Sequence, residues 1–126
     1  MKHVKLGLCL LAVLFALGLL LTSCLSGLRR ELCDAMNTAA TAALEGSWEE
    51  ADKAAGAGHR LWEQRRKFVA SVVDHQLLEE VDTLFAQLEV YAQARETLSF
   101  AALCEELSRE LSAMGEAHVP NWWNLL

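Results

Sequence analysis

This chain predicts an all-α protein: an N-terminal transmembrane or lipoprotein signal helix, followed by an antiparallel three- to four-helix bundle. Three observations lead there. Residues Leu6 to Leu25 carry no charge. Apolar residues beyond them recur three and four apart, with no alternating apolar–polar run that would suggest strands. The single proline stands at position 120, after every candidate helix. The expected organisation is 1–25 as anchor or signal segment, 26–119 as helical bundle and 120–126 as an apolar aromatic tail.

The apolar run supports two readings. At about 1.5 Å per helical residue, twenty residues reach about 30 Å, the thickness of a bilayer's hydrocarbon core. That length suits a permanent transmembrane helix. Leu21-Thr22-Ser23-Cys24 also fits the pattern in which small residues precede a lipidated cysteine, although the apolar core of a removable signal is usually only about 7–15 residues long. Either way the rest of the chain lies on one side. Lys2, Lys5 and the terminal amine precede the run, while Arg29 and Arg30 follow it beside Glu31 and Asp34. The positive-inside rule then gives a single-pass protein of the cell membrane, with a cytoplasmic N-terminus and an extracytoplasmic helical domain.

The run is expected to continue as a polar helix from Leu25 to about Leu44, striped by Leu28, Leu32, Ala35 or Met36, and Ala39 or Ala40. Glu45-Gly46 ends it, glycine supplying the left-handed terminal residue. Ser47-Trp48-Glu49-Glu50 reads as a capping box, with Ser47 accepting from a first-turn amide while Glu50 reaches back. The second helix repeats Trp48, Ala51, Ala55, Gly58, Trp62, Val69 and Val72, is interrupted at Arg65, and is widened by Leu61 and Phe68. Gly56 and Gly58 each cost a helix about 1 kcal/mol relative to Ala, so either a neighbouring helix passes close to them or the helix bends.

Asp74 can cap a third helix, with Leu77 or Leu78, Val81, Leu84 or Phe85, Leu88 and Tyr91 on one face. A fourth begins near Thr97, carries Phe100, Leu103 or Cys104, Leu107, Leu111 and Met114, and is expected to stop at Gly115. Joints this short suit up-and-down neighbours.

The order of these features resembles a known family. A single span is followed by Ser47-Trp48-Glu49-Glu50-Ala51, Trp62, Val72-Val73-Asp74-His75, Tyr91 and a terminal Asn124-Leu125-Leu126. The chain is similar to the family catalogued as domain of unknown function 4363, short membrane-anchored helical proteins of Gram-positive bacteria. The resemblance covers nearly the whole chain. It implies an anchor, a helical fold, no assigned activity and an integral membrane partner. Cys24 is not part of the family's pattern.

Charge and chemistry narrow the function classes. Beyond the anchor, nine Lys and Arg face seventeen Asp and Glu, a balance of −8. Such a surface repels phosphates, which argues against nucleic acid and anionic lipid as general partners. The four cysteines form no C-x-x-C; Cys33 and Cys104 either pair across two helices or serve as small buried apolar side chains. His75 and Glu79 share a helical face and could offer two metal ligands, a third coming from His59 only if its helix packs suitably. The blander expectation is that Glu79 simply pairs with His75. No serine sits in a glycine-flanked elbow and no glycine-rich phosphate loop follows a strand. No catalytic residue, cofactor, metal or small-molecule substrate is therefore expected. Arg60, Arg65, Arg66 and Lys67 form a basic cluster, read as balancing local acids such as Glu63 or docking an acidic partner.

Trp122, Trp123, Leu125 and Leu126 are the candidate contact residues. They could close the open end of the bundle, sit at the membrane interface where tryptophan is enriched, or enter a groove on a partner. The expectation is an extracytoplasmic binding or accessory protein for an integral membrane partner. One alternative is an envelope lipoprotein, lipidated at Cys24 and acting as a ligand or solute sensor; another is a metal-dependent enzyme built around His75.

Overall fold

The computed structural model describes residues 1–116. Four α-helices account for nearly all of them: α1 (Lys2–Leu44), α2 (Trp48–Ala70), α3 (His75–Ala94) and α4 (Thr97–Glu116). No strand occurs among the described residues. Each helix packs on its neighbours in a ring: α1 against α2 and α4, and α3 against α2 and α4. The α1–α4 seam is the most extensive and the α2–α3 seam the slightest.

The apolar run and the first bundle helix are one uninterrupted helix, about 65 Å long for its 43 residues. From Met1 to Cys24 every residue is exposed, and the first buried side chain is Leu25. Beyond it the expected stripe holds, with Leu28, Leu32, Met36 and Ala39 buried. The core they join is filled by Trp62 and Val69 of α2, Leu78, Val81, Phe85 and Leu88 of α3, and Phe100, Leu107, Leu111 and Met114 of α4. No charged side chain is buried among the described residues. A core of this kind is stabilised mainly by removing apolar surface from water.

The turns show where local chemistry acted. Gly46 adopts φ +82°, and the amides of Gly46 and Ser47 bond to the carbonyls of Ala43 and Ala42, closing α1 as a Schellman motif. The capping box does not form: Ser47 makes no side-chain cap bond. Its amide is tied to Ala42 and its ψ is 70°, short of the extended value from which a cap hydroxyl meets first-turn amides. Asp74 does cap α3, accepting from the Gln76 amide at 3.5 Å. Gly115 does not stop α4, which runs through it to Glu116.

The two α2 glycines differ. A Cβ on Gly58 would lie 2.7 Å from Met36 Cε and 3.2 Å from the Ala35 Cβ, whereas one on Gly56 would meet only the tip of Arg60. Close approach therefore explains Gly58 and not Gly56. It also fixes the antiparallel register, Gly58 standing level with Ala35 and Met36.

Candidate functional site

Two features stand out from an otherwise ordinary bundle. The first is the sleeve of α1 before Cys24. Leu8, Leu10, Leu14, Phe15 and Leu20 all project from it uncovered, and apolar all round it offers no face that water solvates well. Its length and composition suffice to cross a membrane.

The second is a polar cluster in the α2–α3 seam. Trp62 is fully buried, yet its indole Nε1 donates to Asp82 Oδ1 at 2.7 Å. Arg66 donates from Nε to Asp82 Oδ2 at 2.9 Å, and its terminal nitrogen lies 2.8 Å from the same oxygen. Burial pushes the Asp82 carboxyl up, but hydrogen bonds from Arg66 and Trp62, helped by the charges of Arg66 and His59, outweigh it and hold the group below its ordinary value. The His59 ring stacks on Phe85 at 5.0 Å, and its Nε2 lies 3.2 Å from Glu63 Oε1. Beside this stack a groove of about 230 Å³ runs past Asp52, Gly56, His59, Phe85 and Glu89. The basic cluster is thus split: Arg66 answers Asp82 on another helix, while Glu63, expected to balance arginine, pairs with His59.

Sequence reasoning noted half of this cluster and missed what it meant. Arginine interrupts the apolar stripe of α2 one turn after Trp62, and Asp82 falls one turn after Leu78 and before Phe85, on the stripe of α3. Charged residues of opposite sign beside the stripes of neighbouring helices were the available signal; the pair that meets is Arg66 and Asp82, not the interrupting Arg65.

At the opposite end from the sleeve, the α1–α2 and α3–α4 turns come together. Arg95 takes φ 55° and closes α3 as a second Schellman motif. Its guanidinium pairs with Asp52 at 2.8 Å and sits 5.0 Å from the centre of the Trp48 ring, which packs edge-on against Phe100. These contacts offset the cost of a left-handed non-glycine residue, about 1–2 kcal/mol.

The remaining candidates separate. His75 and Glu79 are both exposed, and no group of His, Cys, Asp and Glu suited to a metal occurs among the described residues. All four cysteines are free. Cys33 and Cys104 do not pair: the Cys33 thiol donates to the Ser108 carbonyl at 3.6 Å, and burial pushes the Cys104 thiol up to about 12. A thiol held protonated in this way is a poor nucleophile. Cys24 is exposed at the foot of the bundle. Trp122, Trp123, Leu125 and Leu126 lie outside the described residues.

No curated protein and no solved structure matches the chain. A family model described as "Domain of unknown function (DUF4363)" matches residues 19–125, from the outer end of the sleeve through the whole bundle. The chain belongs to the DUF4363 family.

Proposed function

We propose that the protein is a membrane-anchored accessory subunit, a non-enzymatic binding protein that holds an extracytoplasmic bundle against an integral membrane partner. One observation carries this reading: the sleeve and the first bundle helix are the same rod. With no loop between them, the height and rotation of the bundle are set by the rod itself. Tethering of this kind raises the effective concentration at a partner in the same bilayer. Lys2 and Lys5 ahead of the sleeve support that orientation. The α2–α3 groove and the Trp122–Leu126 tail supply contact surface, and the mechanism needs no cofactor.

The test is crosslinking and affinity recovery from membranes, comparing the full chain, a chain ending at Pro120, and one with a flexible Gly-Ser insert between Cys24 and Leu25. The full chain should recover a multi-span protein, with recovery reduced by both alterations. Undiminished recovery by both altered chains would defeat the proposal.

A second reading has one observation in its favour. The unbroken exposed stretch ends at Cys24 and the core begins at Leu25, so cleavage before Cys24 would leave every buried residue in place. On that reading the protein is a lipoprotein acylated at Cys24. The mass of the mature protein separates the two: either residues 1–23 are retained, or they are lost with an acyl mass gained.

A further inference from the structure

Two tryptophans show how this chain holds an indole. Trp62 buries its ring and gives its N–H to a carboxylate, Asp82 Oδ1, at 2.7 Å. Trp48 presents its face to a guanidinium, Arg95, 5.0 Å from the ring centre. A third place offers the same elements with no indole from the described residues. At the foot of the bundle a groove of about 290 Å³ lies between α1 and α2, walled by Leu28, Leu61 and Phe68, with Arg65 and Glu31 in its lining. Both charged residues are exposed, and among the described residues neither is in an ion pair. Gly27 also lines the groove, and a Cβ there would meet nothing within 4 Å. Glycine inside a helix costs about 1 kcal/mol relative to alanine. No close neighbour among the described residues accounts for this one, and its effect is to leave the groove open.

We propose that this groove is the seat of the chain's own tail, residues 121–126, with the indole of Trp122 or Trp123 in it. The register of α1 and α4 brings the tail within reach. The Cys33 thiol lies against Ser108 and Ser112, so Glu116, at the end of antiparallel α4, stands level with Gly27. α4 and α2 face each other diagonally across the ring, about 11–14 Å apart where neighbouring axes are about 8–10 Å apart. The stretch from Glu116 to Trp122 spans at most about 20 Å, enough to cover that distance. Covalent attachment keeps the tail at high local concentration beside the groove. The lining selects an indole over an aliphatic side chain: the body of the ring meets Leu28, Leu61 and Phe68, its face receives Arg65, and its N–H finds Glu31. A groove of this size takes one large side chain and has no room for a partner's helix. The family match runs on through residue 125, so the tail shares the pattern that defines the bundle. The inference rests on neither the span nor a partner, and a seated tail adds its outer side to the surface at the foot of the bundle.

The full chain, in dodecylmaltoside micelles, carries the photoreactive p-benzoylphenylalanine in place of Asn124, beside both indoles, and its crosslinks are mapped by peptide mass. The main product should lie within one chain and join the tail to residues 24–31 or 61–68. Gly27→Phe, which fills the groove from an open position, should reduce that product to background at unchanged helicity. Gly18→Phe, on the sleeve, should leave it intact. Glu31→Gln combined with Arg65→Gln should lower the yield about two- to fivefold, the size of one exposed cation–π contact. Crosslinks to a second copy, to detergent or to another part of the chain overturn the proposal. So does a product undiminished by Gly27→Phe or by the paired charge removal. None of these readouts involves recovery of a partner, so failure here is distinct from failure of the accessory-subunit reading.

Discussion

The two halves of α1 belong to one continuous helix and meet opposite fates. Residues Leu6 to Leu21 are apolar on all sides and wholly exposed, whereas from Leu25 onward only a stripe is apolar and that stripe is buried. A stripe can be satisfied by neighbouring helices, because polar residues on the other side keep their water. A sleeve without a polar side cannot be satisfied by a four-helix ring that has no room at its centre for a fifth helix. The comparison teaches that apolarity sets how much surface must leave water, and its angular spread sets what can receive it.

The strongest way to break this comparison is to truncate one leucine in each half. Leu32→Ala should cost the bundle about 2–5 kcal/mol, because Leu32 is fully buried and leaves a cavity. Leu14→Ala, on the same helix, should change unfolding by less than about 0.5 kcal/mol. Urea unfolding in mild detergent followed by helicity compares them, and equal losses would show that the sleeve is part of the fold. Next in size is Asp82→Ala. It strands the buried Trp62 N–H and should cost about 1–3 kcal/mol, visible also as a change in tryptophan emission.

The glycines sharpen the contrast between open and close-packed faces of one helix. Gly56→Ala should stabilise the bundle by about 0.8–1 kcal/mol, since its Cβ meets only the tip of Arg60, at an ordinary 3.7 Å. Gly58→Ala should fall below the native chain in thermal melting, because Met36 is fully buried and Ala35 stands on a helix backbone, so neither can easily give way.

Acid titration separates two seams of the ring. The folded-state value of Asp82 is lowered, so its contribution is present above its ordinary value of 3.8 and is lost as pH falls through the lower folded value. Glu110 is the reverse: burial, with the charges of Glu80 and Glu106, holds it above its ordinary 4.5, so its ionisation opposes folding at neutral pH and that penalty disappears in acid. Glu110→Gln should therefore raise the melting temperature at neutral pH, with the gain gone below about pH 4.5. A gain that persists in acid would assign the effect to something other than charge.

The smallest effect is expected at Arg95→Gly. Glycine relieves the left-handed φ of 55° but removes the contacts to Asp52 and Trp48, and the two changes should cancel to within about 1 kcal/mol. High salt, which screens the Asp52 pair, should tip the balance towards the glycine variant.

Much of the fold was legible in the sequence because helix periodicity is a local property. The stripes of α1, α3 and α4, the stop at Gly46 and the cap at Asp74 all depend on residues within a turn or two of one another. The capping box failed for a reason local patterns do not contain: Ser47 was already committed to closing the preceding helix. The continuation of α4 through Gly115 likewise reflects context overriding a weak stop signal. The α2–α3 cluster was half visible, since Arg65 broke a stripe, but the arginine that pairs is its neighbour Arg66, and the partner Asp82 lies on another helix.

By itself, the sequence determined that the chain is helical, where each helix turns its apolar face, and that its first twenty-odd residues cannot be satisfied in water. These follow from spacing and composition along a single helix. Only the tertiary structure decided that Gly58 and not Gly56 marks the close crossing, and that Trp62, Arg66 and Asp82 form one network. Each of those depends on register between helices, which is set by how side chains interlock across a seam.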